Sequence, residues 1–331
     1  MAGLGLAAAS SAAAAVVGRV ARAPARLAAR RTPRGFGDAV VVPLPGVLLT
    51  NDLFAESRCL ATTLGARAVD EKLGQMAAMS AAKLSDAAEQ LAEGLSARHG
   101  RHRRAVLVGH SYGGYAALEF VHRWPDRVAG LVLISTQCRA DTPGATARRE
   151  KQIALLNSRG LGTVLDGLMP SLVSRASLAN PSVPEALRSM AHTVGAETFE
   201  RQVRACAARA DHRVTLRQIP KEIPLLLITG REDKLTPPSC LREMKEILVK
   251  REEDVRAAGV EHSHADAGSV APWRSSLCEG SGHLVPLEQP ESFRRALSSW
   301  AAEVRSAQVN DKLRTPNMSE AMDFHFSMPV G

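Results

Sequence analysis

Gly109-His110-Ser111-Tyr112-Gly113 sets a serine between two glycines, each two residues away. The apolar run Ala105-Val106-Leu107-Val108 precedes it, and the helix-prone stretch Gly114-Tyr115-Ala116-Ala117-Leu118-Glu119-Phe120 follows. That order predicts a strand, a tight turn and a helix, with the Ser111 hydroxyl raised on the turn. Bulk near such a turn would keep strand and helix apart, and glycine at 109 and 113 removes it. The chemistry this suggests is nucleophilic attack by the serine on a carbonyl carbon.

A serine hydroxyl is a weak nucleophile at neutral pH and needs a base, itself oriented by a carboxylate. The apolar run at residues 225–228 leads into Thr229-Gly230-Arg231-Glu232-Asp233, which offers Asp233 as the acid, with Glu232 as its neighbouring rival. Gly280-Ser281-Gly282-His283 offers the base, on a segment whose glycines let the backbone bend toward the serine. The oxyanion formed during acyl transfer needs backbone N–H donors. Tyr112, directly after the nucleophile, supplies one. Val47, in Pro43-Leu44-Pro45-Gly46-Val47-Leu48, is the candidate for the other.

These residues need a scaffold that delivers loop ends to one place. Residues 40–42, 105–108, 131–134 and 225–228 are short unbroken apolar runs, the pattern of strands buried on both faces. Residues 66–69 and 276–278 are weaker strand candidates. Helices are predicted over 85–96, 115–123, 241–251 and 290–304. In the last of these Phe293, Leu297 and Trp300 fall on one face. Alternating strand and helix predict an α/β fold with a doubly wound, mostly parallel sheet.

The core is then expected at 37–141 and 220–306. Residues 142–219 break the alternation, with helical stripes such as Leu187, Met190, Ala191, Val194 and Phe199, Gln202, Val203, Cys206. An all-helical insertion between two strands reads as a cap over the carboxyl edge, where open α/β sheets bind ligands. Residues 259–273 are small and polar, hence a surface loop. Residues 307–331 lack periodicity and predict a poorly ordered tail.

Composition excludes several classes. The chain has 331 residues, 45% hydrophobic and 23% charged, ordinary values for a globular protein. Its net charge is +8, but residues 1–36 hold six arginines and no acid, so the remainder carries about +2. A nucleic-acid partner is therefore not expected, nor is a membrane span. The Ala-, Arg- and Ser-rich leader matches an organellar transit peptide, mitochondrial before plastid. A secretory signal or a plain Ala-rich tail in a cytoplasmic protein are the alternatives. Five scattered cysteines without a C-x-x-C pair argue against a disulfide framework or zinc site. His262, His264 and Asp266 sit in a loop ill suited to hold a metal, and the basic cluster at 98–104 reads as a solvated loop. No Walker loop is present. Neither metal nor cofactor is expected, and oligomeric state is left open.

With these residues in place, the chain resembles the α/β-hydrolase superfamily. Within it, the chain is similar to small capped serine hydrolases near 3-oxoadipate enol-lactonase and to menaquinone-pathway hydrolases and lyases. Leu44-Pro45-Gly46, Gly109–Tyr115, Trp124-Pro125-Asp126-Arg127-Val128, Gly230-Arg231-Glu232-Asp233 and Gly282-His283 carry the resemblance. It implies the chain order Ser111, Asp233, His283 for a triad. Two departures stand out: Pro45-Gly46 where His-Gly is common, and a longer stretch between Asp233 and His283. The implied activity is hydrolysis of a small or medium carboxylic ester, lactone or thioester through an acyl-enzyme. The alternatives are a lyase or carbon–carbon bond hydrolase using the same triad, and a binding protein that keeps the fold without the chemistry.

Overall fold

The computed structural model describes residues 36–57, 60–260 and 273–314. The predicted leader up to residue 35, residues 261–272 of the polar insertion with His262, His264 and Asp266, and the tail beyond Arg314 lie outside the described residues.

Six strands form one sheet: β1 Val40–Leu44, β2 Ala68–Val69, β3 Ala105–His110, β4 Val128–Ile134, β5 Leu225–Gly230 and β6 Trp273–Cys278. Their order is β2-β1-β3-β4-β5-β6 and every pairing is parallel. The helices are α1 Leu60–Leu64, α2 Glu71–Ser80, α3 Leu84–His99, α4 Tyr112–Arg123, α5 Pro143–Leu172, α6 Arg175–Ala179, α7 Ser182–Val194, α8 Ala196–Ala207, α9 Arg213–Gln218, α10 Pro238–Val260, α11 Val285–Glu288 and α12 Pro290–Arg314.

Because side chains alternate across a strand, the apolar runs feed two cores at once. Val41, Val106, Val108, Val132, Ile134, Leu226 and Ile228 face α1 and α12, where Phe293, Leu297 and Trp300 lie buried. Val40, Val42, Leu44, Leu107, Leu131, Leu133, Leu225 and Leu227 face α2, α3, α4 and α10. Right-handed crossovers account for the split. The chain steps one way from β1 to β2 through α1, then reverses past β1 to β3 through α2 and α3. The carboxyl ends of β1 and β3 therefore flank a crevice where the winding changes direction, the place where such sheets bind ligands.

Helices α5 to α9 fill the whole connection from β4 to β5. Gly160 takes φ +78° within α5 and kinks it. The weaker strand candidates turn out to be the two edge strands, which are half-buried and so show little apolar signal. The last helix runs past residue 306 to Arg314, so that part of the expected tail is helical. No helix among the described residues is long and apolar enough to cross a membrane.

Candidate active site

Three non-glycine residues among those described adopt positive φ: Leu48, Ser111 and Ser135. They follow β1, β3 and β4 respectively, so backbone strain collects at the carboxyl edge of the sheet. Ser111 has φ +50° and ψ −111°, joining β3 directly to α4. Its N–H donates to Ile134 O at 2.9 Å, and Thr136 Oγ1 donates to Ser111 O at 2.9 Å, so the loop after β4 grips both sides of the turn. A Cβ on Gly113 would lie 2.0 Å from Leu44 O. Only glycine lets α4 start this close to β1.

Asp233 and His283 meet, with 2.8 Å between Oδ2 and Nδ1. Asp233 Oδ1 accepts the N–H groups of Leu235 and Thr236, each at 2.9 Å, and Thr236 Oγ1 donates to Oδ2 at 2.8 Å. Burial pushes the Asp233 carboxyl up, but the His283 charge and these hydrogen bonds outweigh it and hold the acid below its usual value. Glu232 is exposed and its Oε2 accepts the Arg175 backbone N–H at 3.1 Å; no contact between it and the imidazole is among those described. The rivalry between the two acids is thus decided by contact: Asp233 is the one that reaches His283.

Ser111, His283 and Thr236 line one cavity, of about 910 Å³ counting its open mouth. Among the described hydrogen bonds none joins Ser111 Oγ to the imidazole; such bonds are commonly loose before substrate binds. Tyr112 is the first residue of α4, where helix geometry leaves the N–H without an internal acceptor. Val47 lines the cavity, while the next N–H, of Leu48, donates to Gln202 Oε1 at 3.2 Å. Gln202 Nε2 in turn donates to Ala78 O at 2.9 Å, so a cap glutamine clamps the loop after β1 to α2.

Further contacts hold the histidine. Glu288 Oε1 accepts Gly282 N–H at 2.9 Å and Leu284 N–H at 3.1 Å, bracketing His283, while its Oε2 accepts Ser174 N–H from the cap at 2.7 Å. The His283 N–H donates to Leu172 O at 2.9 Å. A Cβ on Gly282 would strike Ser174 N at 2.7 Å, so the cap stem and the histidine loop pack backbone to backbone. His110 donates from Nε2 to His283 O at 2.8 Å, its ring edge-on at 4.9 Å. Burial, helped by the neighbouring His283, pushes His110 down to about 3, so it stays neutral.

Sequence reasoning missed Gln202, Glu288, Thr236 and His110 as parts of the site. Gln202 did leave a signal: an amide on the buried stripe of a helix needs a partner. Glu288 and His110 left none, because their partners are backbone groups, and Thr236 left none, because a threonine three residues after an aspartate is an ordinary turn residue.

Comparison with known proteins agrees with this architecture. The family model described as serine aminopeptidase, S33 matches residues 73–263, a span that holds Ser111 and Asp233. A protein of Cronobacter turicensis named as the carbamate hydrolase RutD is 31% identical over 216 residues, covering 63% of this chain and 76% of the relative. Its namesake in Cronobacter sakazakii is 29% identical over 215 residues, with the same coverage. A thermophilic esterase from Thermogutta terrifontis superposes with TM-score 0.64 at 23% identity, over 80% of this chain and 90% of that one. An enol-lactonase from Burkholderia xenovorans superposes with TM-score 0.62 at 16% identity, over 80% and 91%. At these identities the two structures speak for the fold.

Proposed function

Since the chain belongs to the serine aminopeptidase S33 family of α/β-hydrolases, we propose that this hydrolase cleaves a carboxylic ester, lactone or thioester through a Ser111–His283–Asp233 triad. The observation that carries the reading is the buried 2.8 Å contact of His283 Nδ1 with Asp233, in the cavity that Ser111 also lines.

In this mechanism Ser111 Oγ bonds to the carbonyl carbon while His283 Nε2 takes the hydroxyl proton. Asp233 accepts from Nδ1–H, fixing the tautomer and stabilising the imidazolium. The N–H groups of Tyr112 and Val47 stabilise the oxyanion. His283 then returns its proton to the leaving oxygen or sulfur as the carbonyl–heteroatom bond breaks. Water, deprotonated by the same imidazole, attacks the acyl-serine, and Ser111 regains its proton when the acid leaves. No metal or cofactor enters these steps.

A carbamate is the second acyl class to test, because the matching relatives carry that name. The same attack on the carbonyl would serve, with a carbamoyl-serine formed in place of the acyl-serine and then hydrolysed by water in the same way.

A fluorophosphonate probe with stopped-flow on a p-nitrophenyl ester tests the reading. Wild type is expected to label and to release a p-nitrophenol burst equal to the enzyme concentration; Ser111→Ala should do neither. Equal labelling of the two would sink the mechanism. Labelling without a burst or ester turnover would move the chemistry toward a lyase or carbon–carbon cleavage.

We also propose that residues 1–36 direct the chain to an organelle, the mitochondrion first. Their arginines without acids support this. A fusion of residues 1–40 to a fluorescent protein should leave the cytosol, and a cytosolic fusion would end the proposal.

A further inference from the structure

The cavity has a second end, which the proposed mechanism leaves unused. Ala145, Arg148, Arg149 and Gln152 all line it, spaced at i, i+3, i+4 and i+7, so one face of α5 looks into the space above Ser111. That face is polar where a simple core-covering helix would be apolar. Gln137, from the loop after β4, adds an amide to the same lining.

Charge is the telling feature. Arg149 pairs with Asp141 through Nε at 2.6 Å and Nη2 at 3.5 Å, which leaves its Nη1 end over. Arg209 pairs with the same carboxylate from the other side and stacks over the Tyr115 ring, 4.4 Å from its centroid. Asp141 and Arg209 are 1% and 2% exposed, and Arg149 20%. Two guanidiniums therefore share one carboxylate, and a positive charge is left over in a largely dehydrated place. Asp141 is the sole acid among the described residues lining the cavity, whereas Arg148 adds a further cation at its mouth.

The helix itself reinforces the imbalance. The first turn of α5 has no acidic residue to offset the two arginines that follow in the next turn. A surplus guanidinium that is partly buried is costly unless something negative joins it. Arginine also matches a carboxylate in a two-pronged geometry.

We propose that the α5 end of the cavity is an anion subsite, and that the preferred substrate is an ester, lactone or thioester carrying a carboxylate a few bonds from the reacting carbonyl. Arg149 receives that carboxylate, with Arg148, Gln152 and Gln137 completing its surroundings. Asp141 and Arg209 hold Arg149 in place. This rests on Ser111 being the nucleophile, because the anion is positioned relative to that residue. Arg149 sets which substrates are used and takes no part in bond making.

The test compares mono-p-nitrophenyl adipate with p-nitrophenyl hexanoate, which has the same chain length without the charge. A second pair, 3-carboxyphenyl hexanoate and phenyl hexanoate, carries the charge on the leaving group and tells which side of the ester bears it. Within whichever pair responds, wild type should favour the charged substrate in kcat/KM. Arg149→Gln should cut that preference about 30-fold, the worth of one charge-assisted hydrogen bond. Arg149→Lys should restore part of it.

Should Arg149→Gln fail to fold, inhibition of wild type decides: adipate must compete with p-nitrophenyl hexanoate far better than adipamide does. Preferences unchanged in Arg149→Gln, or equal inhibition by adipate and adipamide, would overturn the subsite while ester turnover upholds the nucleophile. A wild type that turns over none of the four esters and resists the fluorophosphonate probe would remove the nucleophile, and the subsite with it.

Discussion

The two ends of the cavity are held by different physics. At the sheet end, hydrogen bonds between side chains and the backbone dominate: Glu288 brackets His283, Gln202 holds the loop after β1, and Thr136 fastens the Ser111 turn. At the cap end, side-chain charge does the holding, with Asp141 between Arg149 and Arg209. Backbone hydrogen bonds fix an atom to within a few tenths of an ångström, as proton transfer requires. Paired charges tolerate more movement and can exchange partners, which suits recognition of a ligand. Rigidity thus belongs to the chemistry and electrostatic surplus to selection.

Removing the sheet end's own groups should have the largest effect. Ser111→Ala should lower kcat by roughly 10⁴-fold or more, and Asp233→Asn by about 10⁴-fold, with melting temperature showing that the fold survives. If Asp233→Asn kept near-normal turnover, the orienting role of the 2.8 Å contact would be lost.

The cap end should fail through stability instead. Asp141→Ala leaves two guanidiniums facing each other without a carboxylate, which should cost about 3–5 kcal/mol of stability in urea. A loss under 1 kcal/mol would mean that water already compensates the pair.

Glu288→Ala tests whether the two ends communicate, since Glu288 touches both the histidine loop and the cap at Ser174. Its expected effect is a fall in kcat of about 10- to 100-fold with little change in KM. A change confined to KM would assign Glu288 to the cap alone.

The smallest effect concerns His110. It titrates at about 3 in the fold but near 6.5 when unfolded. Between those values the unfolded chain binds the extra proton, so stability is full above pH 6.5 and falls as pH drops toward 3. His110→Gln should flatten that slope, by at most about 1.4 kcal/mol per pH unit. Chemical denaturation at pH 7, 5.5 and 4.5 measures it, and identical slopes in the two proteins would contradict a buried neutral imidazole.

Much of the sheet end was legible in advance. Glycine at 109 and 113 around Ser111, and apolar runs before Ser111 and Asp233, are local signals written within a dozen residues. Asp233 was already preferred to Glu232 on its place after Gly230, but the contact it makes with the imidazole was not legible, because that depends on how two distant loops pack. The α5 stripe at 145, 148, 149 and 152 had the right period for one helix face, yet its direction depends on how the cap is seated. An arginine on a helix normally reads as solvent-facing, and nothing near Arg149 in the chain tells that Arg209 will lie against the same carboxylate.

By itself the sequence determined the parallel sheet, the strand–turn–helix at Ser111 and the candidacy of Asp233 and His283. Strand burial and tight turns are short-range properties, set by side-chain apolarity and backbone sterics over a few residues. Tertiary structure alone brought the Asp233 carboxylate against the imidazole, and decided which amide clamps the loop after β1 and where a positive charge is left over. Each of these depends on groups separated by dozens of residues, whose energies exist only once folding has removed water and set their distances.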